Sequence, residues 1–188
     1  MMFTMNRDGT NQRAYYGSGS FWPNSTFYSR PIPGHSTMFV GVIAGHHAPA
    51  RMGELIIFDP ARGTREADGV VQRIPGYGKK VKPLIRDGLT KGSWPKFLTP
   101  YPLSEKYFLV TMKPSNRGLW GIYLVDTFDN MLLIKALPGE SLVEPIPLRP
   151  TKRPPVIASR VHTDVKDATI YIQSVYNGPG LKNMPKGS

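Results

Sequence analysis

Four histidines, at positions 35, 46, 47 and 162, and no cysteine make up the soft-metal and neutral-pH acid–base inventory of this sequence. Two of them are adjacent: His46-His47 follow the apolar run Phe39–Ala44 and lie between Gly45 and Pro49. Neighbouring side chains on a strand point to opposite faces, so only one of the pair could reach a given metal there; on a loop both could. A zinc-like site takes about four ligands, and no Asp or Glu lies at a tight ligand spacing from the pair. His46 and His47 are therefore metal-ligand candidates that only residues remote in sequence could complete. A hydrogen-bonded structural pair is the plainer reading. The lack of cysteine removes disulfides, thiolate metal sites, cysteine nucleophiles and a covalently attached c-type haem from this segment.

Asp59 and Asp126 could be paired carboxylates, but each closes an apolar run, Glu54–Phe58 and Gly121–Val125, at the same place in two similar stretches. Turn formation explains such positions better than acid–base work. Arg51 and Arg117 are likewise equivalent, and ion pairing between neighbouring repeats is their expected role. No Gly-x-Ser-x-Gly elbow is present. Gly76-Tyr77-Gly78-Lys79-Lys80 lacks the spacing of a phosphate loop. The stretch from Arg73 to Lys96 gathers seven basic residues around Asp87, with Tyr77 and Trp94 interleaved. Aromatic and basic residues together suit single-stranded nucleic acid. Here they are diluted by prolines and belong to no recognised binding fold, which favours a solvated or docked loop.

The elements that would position these residues are strands. Gly 19 and Pro 19 in 188 residues are scattered between short β-rich apolar runs, and prolines would break almost any helix laid over the pattern. The runs are Met2–Met5, Arg13–Tyr16, Phe39–Ala44, Glu54–Phe58, Val70–Ile74, Tyr107–Met112, Gly121–Val125, Met131–Ala136, Leu142–Ile146 and Thr169–Val175. Leu55-Ile56-Ile57-Phe58 and Ile122-Tyr123-Leu124-Val125 are continuously apolar, as strands covered on both faces are. The expected class is all-β. The net charge of +11 permits attraction to anionic partners without specifying one. The opening Met1–Asp8 lacks the basic and apolar regions of a signal peptide, so the targeting information of an exported parent is expected elsewhere, and no run reaches the roughly 18 apolar residues of a membrane span.

Two stretches align at an offset of about 67, Met38–Asp59 with Lys106–Asp126, each a strand, a connection bearing arginine and a strand ending in aspartate. A shorter third strand follows each. Such internal repetition marks solenoids and propellers, and these pairs read like the inner and middle strands of propeller blades. Phe3–Asn11, with its Asp-Gly turn, reads as the tail of an earlier blade and is similar to the TolB-like propeller repeat. The expectation is a partial β-propeller of about two to three blades over residues 1–144. A long basic connection at 75–103 interrupts it, and a Pro-rich linker at 145–160 leads to the start of a further domain at 161–188. A propeller needs about four to eight blades to close, so the chain is expected to be a piece of a larger protein that does not fold well alone.

A further set of motifs carries a family resemblance. Trp94-Pro95-Lys96-Phe97, Tyr101–Val110, Leu119–Asp126, Glu144–Arg149 and Arg153–Ile157, with Gly45-His46-His47 and Val175–Gly180, resemble proteins related to the alpha subunit of hydrazine synthase, found in planctomycete-type bacteria. The resemblance implies an exported, periplasmic, multidomain c-type haem protein in which a propeller precedes a middle domain and haem-bearing domains. This chain would then be a non-catalytic scaffold segment, partnered by the remaining blades, the downstream domains and possible further subunits. No Cys-x-x-Cys-His occurs here, so no haem attachment carries over and no cofactor is expected in this segment. Any haem-dependent oxidoreductase activity would belong to the parent protein. The competing readings are a TolB-like module that binds ligand or protein without redox chemistry, and an electrostatic binder of nucleic acid or anionic surfaces.

Overall fold

The computed structural model describes residues 2–17, 21–45, 51–153, 156, 158, 159, 161–167, 169–172, 183 and 185. Among them the chain is all-β, without a helix: three antiparallel sheets of two, four and four strands, none closed on itself. The hairpin comes first, β1 (Met2–Thr4) against β2 (Arg13–Tyr16). Its turn is built by Asp8, whose carboxylate accepts from the Thr10 amide at 3.0 Å and hydroxyl at 2.7 Å. Gly9 supplies the left-handed φ of 80° that the turn requires.

Two four-stranded meanders follow, each with its strands paired in chain order. The first is β3 (Ser25–Pro31), β4 (Phe39–Ala44), β5 (Glu54–Phe58) and β6 (Val70–Ile74). The second is β7 (Lys96–Pro102), β8 (Tyr107–Lys113), β9 (Gly121–Asp126) and β10 (Met131–Ala136). Phe39–Ala44 and Tyr107–Lys113 are thus second strands, not first ones. The first strands, β3 and β7, escape the apolar pattern because prolines punctuate them. Both are edge strands, where a missing N–H is tolerated. The basic stretch 75–103 is accordingly not one connection, because its last residues are β7. Leu142–Ile146 forms no strand, nor do 169–172, the described part of the run Thr169–Val175.

The strand registers also correct the repeat by one residue. Matching Asp59 to Asp126 matches Phe58 to Val125, whose partners across the sheet are Phe39 and Phe108. Phe39 therefore corresponds to Phe108, where the linear alignment sets it against Tyr107. A slip of one residue exchanges the two faces of a strand, so the correction decides which side chains share a layer. Phe39, Ile43, Ile56 and Phe58 then correspond to Phe108, Met112, Tyr123 and Val125. Val40, Val42, Leu55 and Ile57 correspond to Leu109, Thr111, Ile122 and Leu124.

This face assignment matches the packing. Phe39, Ile43, Ile56 and Phe58 join Tyr16, Trp22 and Leu89 in one buried cluster, where the hairpin covers the first sheet. The opposite face, with Val40, Val42, Leu55 and Ile57, packs on Phe108, Val110, Met112, Tyr123 and Val125 of the second sheet. Both faces of β4 and β5 are covered, which is why those strands read as unbroken apolar runs. The seam between sheets is a reciprocal backbone pair: the Phe97 amide donates to the Gly53 carbonyl at 2.9 Å and the Gly53 amide to Phe97 at 3.3 Å. A Cβ on Gly53 would lie 1.9 Å from the Ile43 carbonyl oxygen, so this approach needs glycine.

The stretch between β6 and β7 is docked. The Asp129 carboxylate, in the β9–β10 turn, accepts from the Gly76 and Tyr77 amides at 2.9 Å, and Gln72 Nε2 donates to the Thr127 carbonyl at 2.7 Å. Leu89 is buried with the first sheet and Val81 packs beside it. After β10 the chain crosses back over the second sheet, where the Glu144 amide donates to Thr99 Oγ1 at 3.2 Å and Arg149 reaches the Leu103 carbonyl at 3.4 Å.

Candidate functional site

Among the described residues, those singled out from sequence do not converge. His46 and His47 lie outside the described residues. Asp59 accepts from the Thr37 hydroxyl at 2.7 Å and the Ala61 amide at 3.1 Å, with Arg62 Nε at 3.8 Å. Asp126 accepts from the Phe128 amide at 2.9 Å, the Asn130 amide at 3.0 Å and Asn130 Nδ2 at 2.8 Å. Each carboxylate closes its own turn, and the two share no partner among the described residues. The Thr37 hydroxyl above all, with the Ala61 amide and Arg62, holds Asp59 below the usual carboxylate range. Burial raises Asp126, but the three donors outweigh it and its pKa is also lowered. Arg51, with φ of 60°, and Arg117 are exposed on turns, and neither forms an ion pair among the described residues. His162 is exposed. No group of three or more His, Asp or Glu that could hold a metal occurs among the described residues.

A different place gathers chemistry. β3 and β7 carry the same irregularity: pairing breaks between Phe27 and Arg30 on one strand and between Leu98 and Tyr101 on the other. The residue after each break point has a left-handed φ, 54° at Tyr28 and 37° at Thr99. Bulges of this kind re-aim the side chains that follow. The registers make Arg30 the counterpart of Tyr101, and Pro31 the counterpart of Pro102. These equivalent strand ends meet across the two sheets, and the Arg30 guanidinium stands 5.4 Å from the Tyr101 ring centroid.

The segment after β10 closes the other side. Arg149 lies 5.8 Å from the same ring, and its hydrogen bonds to the Leu103 carbonyl hold it there. The result is a cleft of about 520 Å³ between β3, β7 and residues 149–152, with Lys152 and His35 also on its wall and no carboxylate among the described residues of its lining. His35 Nε2 is 3.0 Å from Glu105 Oε2 at the rim. Pro31, Pro33, Pro102 and Pro150 supply rigid apolar walls. The sequence signal for this site is the pair of parallel phrases Trp22-Pro23…Arg30-Pro31 and Trp94-Pro95…Tyr101-Pro102, each leading through a first strand to the cleft.

Two other hollows are of a different kind. The one beside Arg62, Glu66, Asp68, Lys79 and Lys80 mixes charges of both signs. The one near Trp94 is smaller, about 160 Å³, and contains the pair Arg73–Glu54 at 3.6 Å. Beside it Lys96 is buried, donates to the Thr90 carbonyl and stands 5.3 Å from the Trp94 ring centroid. Burial pushes its pKa below the usual lysine value.

No protein-family model, curated protein or solved structure matches the chain. The described residues include no helix long and apolar enough to cross a membrane.

Proposed function

We propose that this chain is a scaffold segment of a β-propeller: the two four-stranded meanders are consecutive blades, and the opening hairpin is the outer half of an earlier one. The observation that carries this reading is the directional repeat of faces. Side chains that point from the first sheet towards the second have counterparts, Leu109, Thr111, Ile122 and Leu124, that point out of the second sheet on its far side. Layers related in this way stack head to tail and do not terminate themselves. Meander order within each sheet, and the meeting of the two first strands, support the same arrangement.

The parent is proposed to be an exported multidomain protein of the hydrazine synthase alpha-subunit kind, on the strength of the shared motifs alone. The c-type haem of such a protein does not fit here, because thioether attachment needs cysteines that the sequence lacks. No redox step is assigned to these residues. A second reading, a TolB-like module that binds a ligand without redox chemistry, is favoured by the cleft around Tyr101. The third, an electrostatic nucleic-acid binder, has less behind it, since the basic 75–95 stretch is partly docked on the protein's own sheets.

Determining the coding sequence on both sides separates these readings. Further strand–turn repeats with Cys-x-x-Cys-His downstream are the expected result. A propeller without haem motifs would move the assignment to the ligand-binding module. Flanks without any repeat would overturn the blade reading.

A further inference from the structure

We infer that the cleft between the ends of β3 and β7 is a binding site for a small organic oxyanion, a carboxylate or phosphate monoester carried on a compact apolar body. Two guanidinium groups, Arg30 and Arg149, converge on one aromatic ring, with Lys152 on the same wall. The ring face attracts each cation, but no carboxylate among the described lining residues neutralises them. Glu105 stands at the rim against His35 and is not part of that lining. Like charges gathered without a carboxylate are relieved by a ligand that brings the opposite charge. The Arg30 guanidinium fork suits the two oxygens of a carboxylate or phosphate, and Arg149, whose Nη atoms already donate to the Leu103 carbonyl, adds positive charge beside it.

The apolar half of the ligand follows from the walls. Four prolines and Ile32 border the cleft, and proline surfaces lose little conformational freedom on binding. A volume of about 520 Å³ lies within the roughly 300–1,000 Å³ of small-molecule sites. Free inorganic phosphate would fill the charged corner and leave the proline walls uncovered. The site is built by two equivalent strand ends and the returning segment, so it stands whether or not the sheets belong to a propeller.

Calorimetric titration of the full chain with phthalate, phenyl phosphate and inorganic phosphate tests the inference. A single-stranded oligodeoxynucleotide is the macromolecular comparison. Phthalate or phenyl phosphate is expected to bind better than inorganic phosphate, and whichever binds tighter identifies the headgroup. Arg30→Gln and Arg149→Gln should each weaken binding by about tenfold or more, while Arg62→Gln at the mixed-charge hollow should not. Both arginines are exposed, so the variants should fold, which far-UV circular dichroism checks. Amide shifts on titration should centre on Tyr101, Leu103 and His35. Equal weakening by all three variants would reduce the effect to the net charge of +11 and overturn the inference. Binding of the oligonucleotide alone, or of no probe, would overturn it too.

Discussion

The two four-stranded sheets have the same strand order and opposite circumstances. In the first, β4 and β5 are buried on both faces, between the hairpin with Tyr16 and Trp22 on one side and the second sheet on the other. In the second, β8 and β9 bury Phe108, Val110, Tyr123 and Val125 on one face, whereas on the other Thr111 is buried and Leu109, Ile122 and Leu124 are half-buried. The last strands differ most: β6 is half-buried, but β10 exposes Leu132, Leu133 and Ile134 at 64%, 49% and 53%. Leu132 and Leu133, paired with Leu124 and Tyr123, point to opposite faces, so this last strand leaves apolar side chains exposed on both sides. Sequence equivalence therefore does not imply equal energetic weight: Val40, Leu55 and Ile57 are fully buried where their counterparts Leu109, Ile122 and Leu124 are only half-buried.

The largest break in that comparison is at the seam. Gly53→Ala places a Cβ into the Ile43 carbonyl and should cost about 3 kcal/mol or more, or abolish cooperative unfolding, as urea denaturation would reveal. Next comes the contrast between the sheets themselves. Ile57→Ala, in the doubly covered layer, should cost about 2–5 kcal/mol, whereas its counterpart Leu124→Ala, half-buried, should cost only about 1 kcal/mol. Comparable losses at both positions would erase the asymmetry.

The smallest effect concerns the matched aspartates. Both have folded-state pKa values below the ordinary 3.8. Their contribution is complete above the unfolded value and is lost as pH falls from about 3.8 through the depressed folded values. In the Asp59→Asn/Asp126→Asn double variant, that part of the acid dependence of the melting temperature should disappear. An unchanged acid limb would mean that other carboxylates carry it.

How far the sequence reveals this follows from what each strand must do. β4, β5, β8 and β9 are legible because burial leaves them strongly apolar, and the turn role of Asp59 and Asp126 is legible from the residue type after such runs. β3 and β7 are illegible by the same rule. Pro100 sits inside β7, and Pro31 and Pro102 end their strands, so a proline-based reading discards both. Edge position and a bulge make those prolines acceptable. The cleft was hidden for the same reason, since Arg30 and Tyr101 lie on the two unrecognised strands and Arg149 on a segment read as linker. Leu142–Ile146 misleads in the opposite direction: it has a strand's composition but joins no sheet, and its Glu144 amide donates to a side chain, Thr99 Oγ1, instead of a backbone carbonyl.

In the proposed blade arrangement the far face of the second sheet, with Leu109 and Leu124, receives another layer. Sedimentation velocity over a wide concentration range, on the chain as it stands and on the Leu109→Lys/Leu124→Lys variant, tests it most directly. The unmodified chain should self-associate as concentration rises. The charged variant should remain monomeric while keeping its β-sheet circular dichroism, because those side chains already lie at the half-covered surface. An unmodified chain that sediments as a monomer throughout, or a variant that associates just as strongly, would contradict the account.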